Sequence, residues 1–424
     1  MKKPELLAPA GDLEKLKFAL EYGADAVYAG GSSFGLRAYA GNFDAEGLHQ
    51  AVEYTHKLGR KIYITVNIFA HEPDFEYLED YLGQLSALQV DGLIVSDPGV
   101  ISAVQKSAPG LQIHLSTQAN CTNSASANFW FRQGLTRVVL ARELTLQEIR
   151  EIGRRTTGEL EIFIHGAMCM SYSGRCLLSN YLTGRDANRG ECTHPCRWGY
   201  ALVEEKRPGQ FFPIEEDSRG SYIFNSHDLC LLPYLPLLKK LRLASFKIEG
   251  RMKGTYYVAS TVKVYRQAID TLWEQGEEEF NRKLAFWLKE LDKVSHRDYS
   301  PGFLFGKPGA EAHNIETSNY IREYSFVGRV LAPEEYSRTK QKVEGLEKEC
   351  TSWIEQRNNF RVGEELEVLS PQEDPWTFKV TGLWDEEGAE VEVARHPQQK
   401  LKISVPRPLS PFTILRREKI KTFK

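Results

Sequence analysis

Short apolar runs alternate with helix-length amphipathic segments from the first residues of the chain. The runs are ELLAPAG (5–11), ADAVYAGG (24–31), KIYITVNIF (61–69), DGLIVSDP (91–98), LQIHLSTQAN (111–120), TRVVLARE (136–143), LEIFIHGAM (160–168) and LASFKIEG (243–250). All but one are rich in β-branched or aromatic residues, the composition of strands buried on both faces of a parallel sheet. The intervening segments DLEKLKFALEYG and DAEGLHQAVEYTHKLG both open on Asp, whose carboxylate accepts from the unpaired N–H groups of a first helical turn, and the first ends at Gly. Eight βα units predict an α/β fold, a closed (β/α)8 TIM-like barrel. The alternative is an open doubly wound sheet, but neither GxGxxG after a strand nor GxxxxGK[ST] occurs.

One connection breaks the rhythm. The seventh run ends near Met168 and the eighth begins near Leu243, whereas βα loops commonly have about 2–6 residues. A loop this long leaves the barrel at its C-terminal face, where barrel enzymes place their chemistry. After the barrel, helical patterns cover about 255–274 and 278–294. From about 320 the period changes to two in SFVGRVLA, EELEVLSP, TFKVTGLW, AEVEVARH, LKISV and FTILRR. These runs predict a small antiparallel β-barrel or sandwich. The charged stretch EEYSRTKQKVEGLEKECTSWIEQ reads as a surface insertion between the first two of them. The expected organisation is a catalytic barrel over 1–298 with its cysteine loop at 169–242, a linker over 299–319 and a β domain over 320–424.

Composition changes this picture little. A hydrophobic fraction of 42 % and a charged fraction of 26 % are those of a globular chain with ample core. The formal charge of −3 supplies no global attraction to nucleic acid or anionic membrane, so such a partner needs a local patch. No apolar h-region follows MKKPELLAPAGD and no run is long enough to span a bilayer, so a cytoplasmic protein without a membrane partner is expected. In that reducing compartment, clustered cysteines bind metal or do redox chemistry more often than they form disulfides.

Four of the seven cysteines lie within 28 positions, as C-x6-C-x15-C-x3-C over Cys169, Cys176, Cys192 and Cys196. Iron–sulfur clusters are held by four thiolates at spacings that vary widely. Structural zinc sites are also built from four thiolates, but more often from two narrow pairs. Here one pair is narrow and the other wide, so spacing leaves both metals open. Cys121 and Cys350 stand apart as ordinary residues, and Cys230 lies later in the same loop.

The segments ELLAPAGDLEKLKFALEYGADAVYAGG, IHGAMCMSYSGRCLLSNYLTGRDANRGECTHPCRWGY, NSHDLC and FKIEGRMK resemble the collagenase-like peptidase family U32. FRVGEELEVLSP and VARHPQQ are similar to that family's C-terminal β module, so the resemblance spans nearly the whole chain. Within the family the resemblance is strongest to the proteins that make 5-hydroxyuridine at the tRNA wobble position. It implies a [4Fe–4S] cluster, prephenate as co-substrate, tRNA as partner and a paralogous subunit as a candidate second partner. Relatives that act on ribosomal RNA or on a quinone precursor leave those substrates as alternatives. Carried onto this sequence, the resemblance implies Cys169, Cys176 and Cys192 as cluster ligands. The fourth is Cys196 or, as in some relatives, Cys230; the shorter gap to Cys192 favours Cys196.

Other candidates follow the strands. Arg251, Arg142 and Lys247 lie at or beyond strand ends and Arg175 and Arg197 in the loop, where guanidinium groups suit a dicarboxylate such as prephenate. Asn67, Thr117, Gln118, Asn120, Glu143, Glu249 and Lys253 occupy similar positions. Arg189, Arg197 and Trp198 could face RNA, since unstacked bases stack on aromatic and guanidinium planes. From 398 to 424 eight Lys or Arg face a single acid, Glu418, which adds modest support for RNA. Two further readings are a peptidase built on His165, His194, His227 and Asp228, and a zinc-stabilised RNA-binding adaptor. No GxSxG or HExxH supports the peptidase, and no residue is assigned to catalysis from sequence.

Overall fold

The computed structural model describes residues 2–31, 34–35, 42–169, 171–198, 201–203, 211–213, 225–307, 313–314, 320–336 and 350–419. The chain divides into two compact units, Met1–Leu288 with His296–Ile321, and Lys289–Ser295 with Arg322–Lys424.

The first unit is the closed parallel barrel that the alternation predicts. Its strands are β1 (Glu5–Pro9), β2 (Ala26–Ala29), β3 (Lys61–Val66), β4 (Gly92–Val95), β5 (Gln112–Leu115), β6 (Arg137–Val139), β7 (Glu159–Ala167) and β8 (Ser245–Ile248). Each pairs in parallel with the next, and β8 bonds to both β1 and β7, which closes the sheet. The helices start where the caps predict. Asp12 accepts from the Lys15 N–H at 2.9 Å to open α1 (Leu13–Glu21), and Asp44 from Gly47 N–H at 2.7 Å to open α2 (Ala45–Lys57). Among the described residues no helix is long and apolar enough to cross a membrane.

The barrel interior is not wholly apolar. Above Leu7, Ala26 and Ile94 pack Tyr28 and Tyr63, and among them runs a chain of charges. The Arg137 guanidinium meets Glu5 at 2.5 Å, Glu159 at 2.8 Å and Glu161 at 3.1 Å, and Glu161 also meets Lys247 at 3.0 Å. Glu161 is fully buried, and its two cations hold its carboxyl down to about 2 against the opposing effect of burial. Lys247, a sequence candidate for substrate binding, is therefore already charge-balanced inside the wall. The unexpected pairing is beside β7. Asp228–Cys230 adds antiparallel to its end, and Tyr299–Ser300 adds parallel to that, within the first unit.

The second unit is a curled antiparallel sheet. Its strands are β9 (Tyr324–Val330), β10 (Thr351–Gln356), β11 (Glu365–Leu369), β12 (Trp376–Lys379), β13 (Leu383–Trp384), β14 (Lys400–Ser404) and β15 (Ile414–Glu418), in the order β12-β11-β15-β9-β10-β14-β13. Val327, Ile354, Leu366, Leu401 and Leu415 are among its core residues. Two sequence readings need correction here. Thr351–Gln356, read as the end of a surface insertion, is a central strand between β9 and β14. It buries Ser352, Ile354 and Gln356 on one face while alternate residues face outward, and its charges hid that alternation. Residues 337–349 of the same stretch lie outside the described residues. The basic excess over 398–424 is also compensated from elsewhere: Arg416 is fully buried against Glu290 and Glu367, Arg417 pairs with Glu364, and Arg407 with Glu373. Lys421 and Lys424 lie outside the described residues.

His114, inside the barrel, has both ring nitrogens buried without a partner among the described residues. Burial, then the nearby Arg137, hold its pKa down to about 3. It stays neutral in the fold, whereas the unfolded chain's histidine takes up a proton near pH 6.5, so acid favours unfolding between those values. Stability should therefore be full above pH 6.5 and fall below it. A His114→Phe variant should show a slope shallower by up to about 1.4 kcal/mol per pH unit in denaturant titrations from pH 7 to 4.5. An unchanged slope would contradict this placement.

Candidate active site at the barrel mouth

The C-terminal strand ends form a polar rim. Asn67 follows β3, Gln118 and Asn120 follow β5, and Arg142 and Glu143 follow β6. The Asn67 amide donates to the Ser116 hydroxyl at 3.2 Å, and the Thr117 hydroxyl to the Leu140 carbonyl at 3.3 Å. Arg142 donates to the Ala167 carbonyl at 2.8 Å and lies over the Phe163 ring at 4.4 Å. Asn67 Oδ1, Gln118 Oε1, Asn120 Oδ1 and Arg142 Nε are buried with no partner among the described residues. Buried polar atoms are ordinarily paired, so four such atoms on one rim point to water or a ligand as the complement.

Arg251 enters from the loop after β8. Arg251 is 3 % exposed, and its guanidinium donates to the Thr65 hydroxyl at 2.8 Å and the Asn42 amide oxygen at 3.1 Å. The backbone packs closely here: a Cβ on Gly11 would press on the Arg251 carbonyl, and one on Gly30 would stand 2.7 Å from the guanidinium and displace it.

The cysteine loop is strapped across this rim by ties to three βα loops. Ser173 donates its N–H at 2.7 Å and its hydroxyl at 3.0 Å to Glu143, after β6. Arg175 donates to the Gln118 carbonyl at 2.8 Å, after β5. After β3, Phe69 N–H donates to the Asn188 carbonyl at 3.1 Å, and Arg189 grips Asp74 through two bonds of 2.9 Å. Asn188, itself buried, accepts from Cys176 N–H at 3.2 Å and donates to its carbonyl at 3.0 Å. Farther along, the hydroxyls of Ser179, Thr183 and Thr193 interlock at 3.1 and 3.3 Å, fixing α3 (Leu178–Thr183) to the Cys192–Cys196 turn.

Cys169, Cys176 and Cys192 come within electrostatic reach of one another. Burial pushes the Cys169 thiol above its ordinary value, and the charges of Cys176 and Cys192 add to that. The Ser171 N–H and Arg142 act in the opposite sense. His194, held at a left-handed φ of 56°, turns its N–H onto Cys192 Sγ at 3.4 Å. Among the described residues no three His, Cys, Asp or Glu side chains gather around a single-ion site. Cys196 is half-buried in the following turn. Cys230 sits in the barrel wall, its Sγ 3.7 Å from the Tyr265 hydroxyl. Cys121 is buried behind β5, and Cys350 packs on the core of the second unit. The side chain of Arg197 lies outside the described residues, and Trp198 is exposed.

The peptidase constellation does not assemble around Asp228. Its carboxylate accepts from Arg297 Nη2 at 2.6 Å, Arg297 Nε at 3.0 Å and the Arg297 N–H at 3.2 Å. His165 places Nδ1 3.3 Å from the Tyr265 hydroxyl.

The model of peptidase family U32 matches residues 11–314, and that of its C-terminal domain matches residues 322–416. The chain belongs to peptidase family U32. It is 43 % identical over 418 residues to tRNA hydroxylation protein P1 of Bacillus subtilis (strain 168), covering 99 % of this chain and 96 % of that one. Identity to tRNA hydroxylation protein P of Escherichia coli (strain K12) is 38 % over 412 residues, 88 % and 87 % of the two chains. The 23S rRNA 5-hydroxycytidine C2501 synthase of the same strain is 35 % identical over 309 residues, 72 % of this U32 chain and 46 % of that protein.

The strap makes its own prediction. Asn188→Ala removes the clamp on Cys176, so in iron-free protein Cys176 should react with maleimide at least about fivefold faster, with unchanged circular dichroism. An unchanged rate would mean that the clamp does not hold the loop.

Proposed function

We propose that this protein is an RNA-modifying hydroxylase that converts the tRNA wobble uridine to 5-hydroxyuridine, with a [4Fe–4S] cluster and prephenate as co-substrate. Near full-length identity to tRNA hydroxylation proteins supports the substrate class. The observation that carries the reading is the strap itself, which holds three thiols over the barrel mouth beside a rim of unpartnered polar atoms. Cys169, Cys176 and Cys192, with Cys196 or Cys230 as the fourth thiolate, would hold the cluster, which supplies redox or substrate activation when bound. Arg142 and Arg251 provide guanidinium groups at strand ends where barrel enzymes bind substrate, and a dicarboxylate is the chemistry they fit. Gln118, Asn67 and Asn120 offer amide groups able to hydrogen-bond a base edge. The Asp228–Arg297 pair gives the peptidase alternative no support, because that carboxylate is already taken.

Mass spectrometry of tRNA nucleosides from a strain lacking this gene and any paralogue tests the proposal. Wobble 5-hydroxyuridine should disappear and return with the wild-type gene. Cys169→Ala, Cys176→Ala or Cys192→Ala should not restore it, whereas Cys121→Ala and Cys350→Ala should. Cys196→Ala should also fail and Cys230→Ala succeed; the reverse would assign the fourth thiolate to Cys230. Arg251→Ala should fold and restore only a minor fraction. Undiminished 5-hydroxyuridine in the deletion strain would contradict the tRNA assignment.

A further inference from the structure

The cysteine loop carries an excess of exposed apolar side chains. Of twelve large hydrophobic side chains exposed among the described residues, five fall between positions 172 and 198. They are Tyr172 (50 % exposed), Leu177 (75 %), Tyr181 (85 %), Leu182 (40 %) and Trp198 (48 %). Helix α3 is inverted relative to an ordinary surface helix: its buried residue is Ser179, bonded to Thr193, while Tyr181 and Leu182 face outward. Burying Leu or Tyr would ordinarily be worth more than burying Ser, so this outward set is retained at a cost to the fold. Between 169 and 198 four arginines stand against Asp186 and Glu191; with Arg189 taken up by Asp74, the balance is +1 in a chain of net −3.

We infer that the outward face of this loop, led by Tyr172, Tyr181 and Trp198, is a stacking platform for unpaired nucleotides that flank the target base. The inference rests on the RNA reading above and names the surface that would serve it. Three features select nucleotides over a protein partner. The largest exposed groups are planar aromatics, which stack on any base. The local charge is positive within a negative chain, which complements phosphate. The loop is also tied to the barrel rim through Glu143, Gln118 and Asp74, so nucleotides lying on it would adjoin a base extruded into the mouth.

The test is the affinity of the full-length protein for an unmodified anticodon stem-loop RNA, by fluorescence anisotropy over a range of salt. Tyr181 is exposed, so Tyr181→Ala leaves the fold intact, checked by an unchanged Tm. This variant should weaken binding about fivefold or more without changing the salt slope, while Tyr181→Phe should retain wild-type affinity. A stem-loop with abasic positions beside the target should bind more weakly to the wild type and lose less on Tyr181→Ala. Equal affinity of wild type, Tyr172→Ala and Tyr181→Ala for the intact stem-loop would overturn the platform while leaving the RNA reading standing. A change in oligomeric mass with RNA affinity unaltered would overturn it in favour of a protein interface. Failure of the wild type to bind any stem-loop would remove the RNA reading itself.

Discussion

Closure of the sheet is the constraint from which the rest follows. Ser245–Ile248 bonds to β1 on one side and β7 on the other, so eight strand ends separated by up to about 240 residues of chain share one rim. The register shift after Lys247 lets β7 run beyond the barrel toward the cysteines. Gly166 turns there with φ of 111° against the Glu249 carbonyl, an approach that any Cβ would block. Without closure, Arg251 from the loop after the last strand would not meet Thr65 from the third, and the loop after β7 would have no rim to cross.

That loop is ordered by hydrogen bonds more than by apolar packing. Glu143, Gln118, Asp74 and Asn188 tie it down, and its large apolar groups are left facing outward. A polar strap of this kind can hold thiols in place while keeping one face available to a partner, which a loop sealed by a hydrophobic core could not do. On the proposed reading these two properties divide the work. The inner face holds the cluster near the substrate, and the outer face receives the nucleotides around it.

Much of this was legible in the chain. Eight apolar runs and their Asp caps located the barrel, because buried parallel strands and helix N-termini each leave a local signature. The long gap after Met168 placed the cysteine loop at the catalytic rim for the same reason. What escaped the sequence was set by partners distant in the chain. Nothing local marks Asp228–Cys230 as a strand, since three residues acquire their register only from Gly166 and its neighbours. Lys247 read as a site residue because Glu161, its partner, lies 86 positions away. The C-terminal arginines read as an RNA patch until Glu290, Glu364, Glu367 and Glu373 folded onto them. Gln118 and Asn120 were singled out by their place at a strand end, but that their amide oxygens are buried without a partner among the described residues came only from the fold.

The central claim is that thiols at the barrel mouth hold an iron–sulfur cluster, and its most direct test is elemental. Protein purified without oxygen should be brown and contain about four iron and four acid-labile sulfide per chain. Stoichiometric zinc with no sulfide in the same preparation would contradict the account.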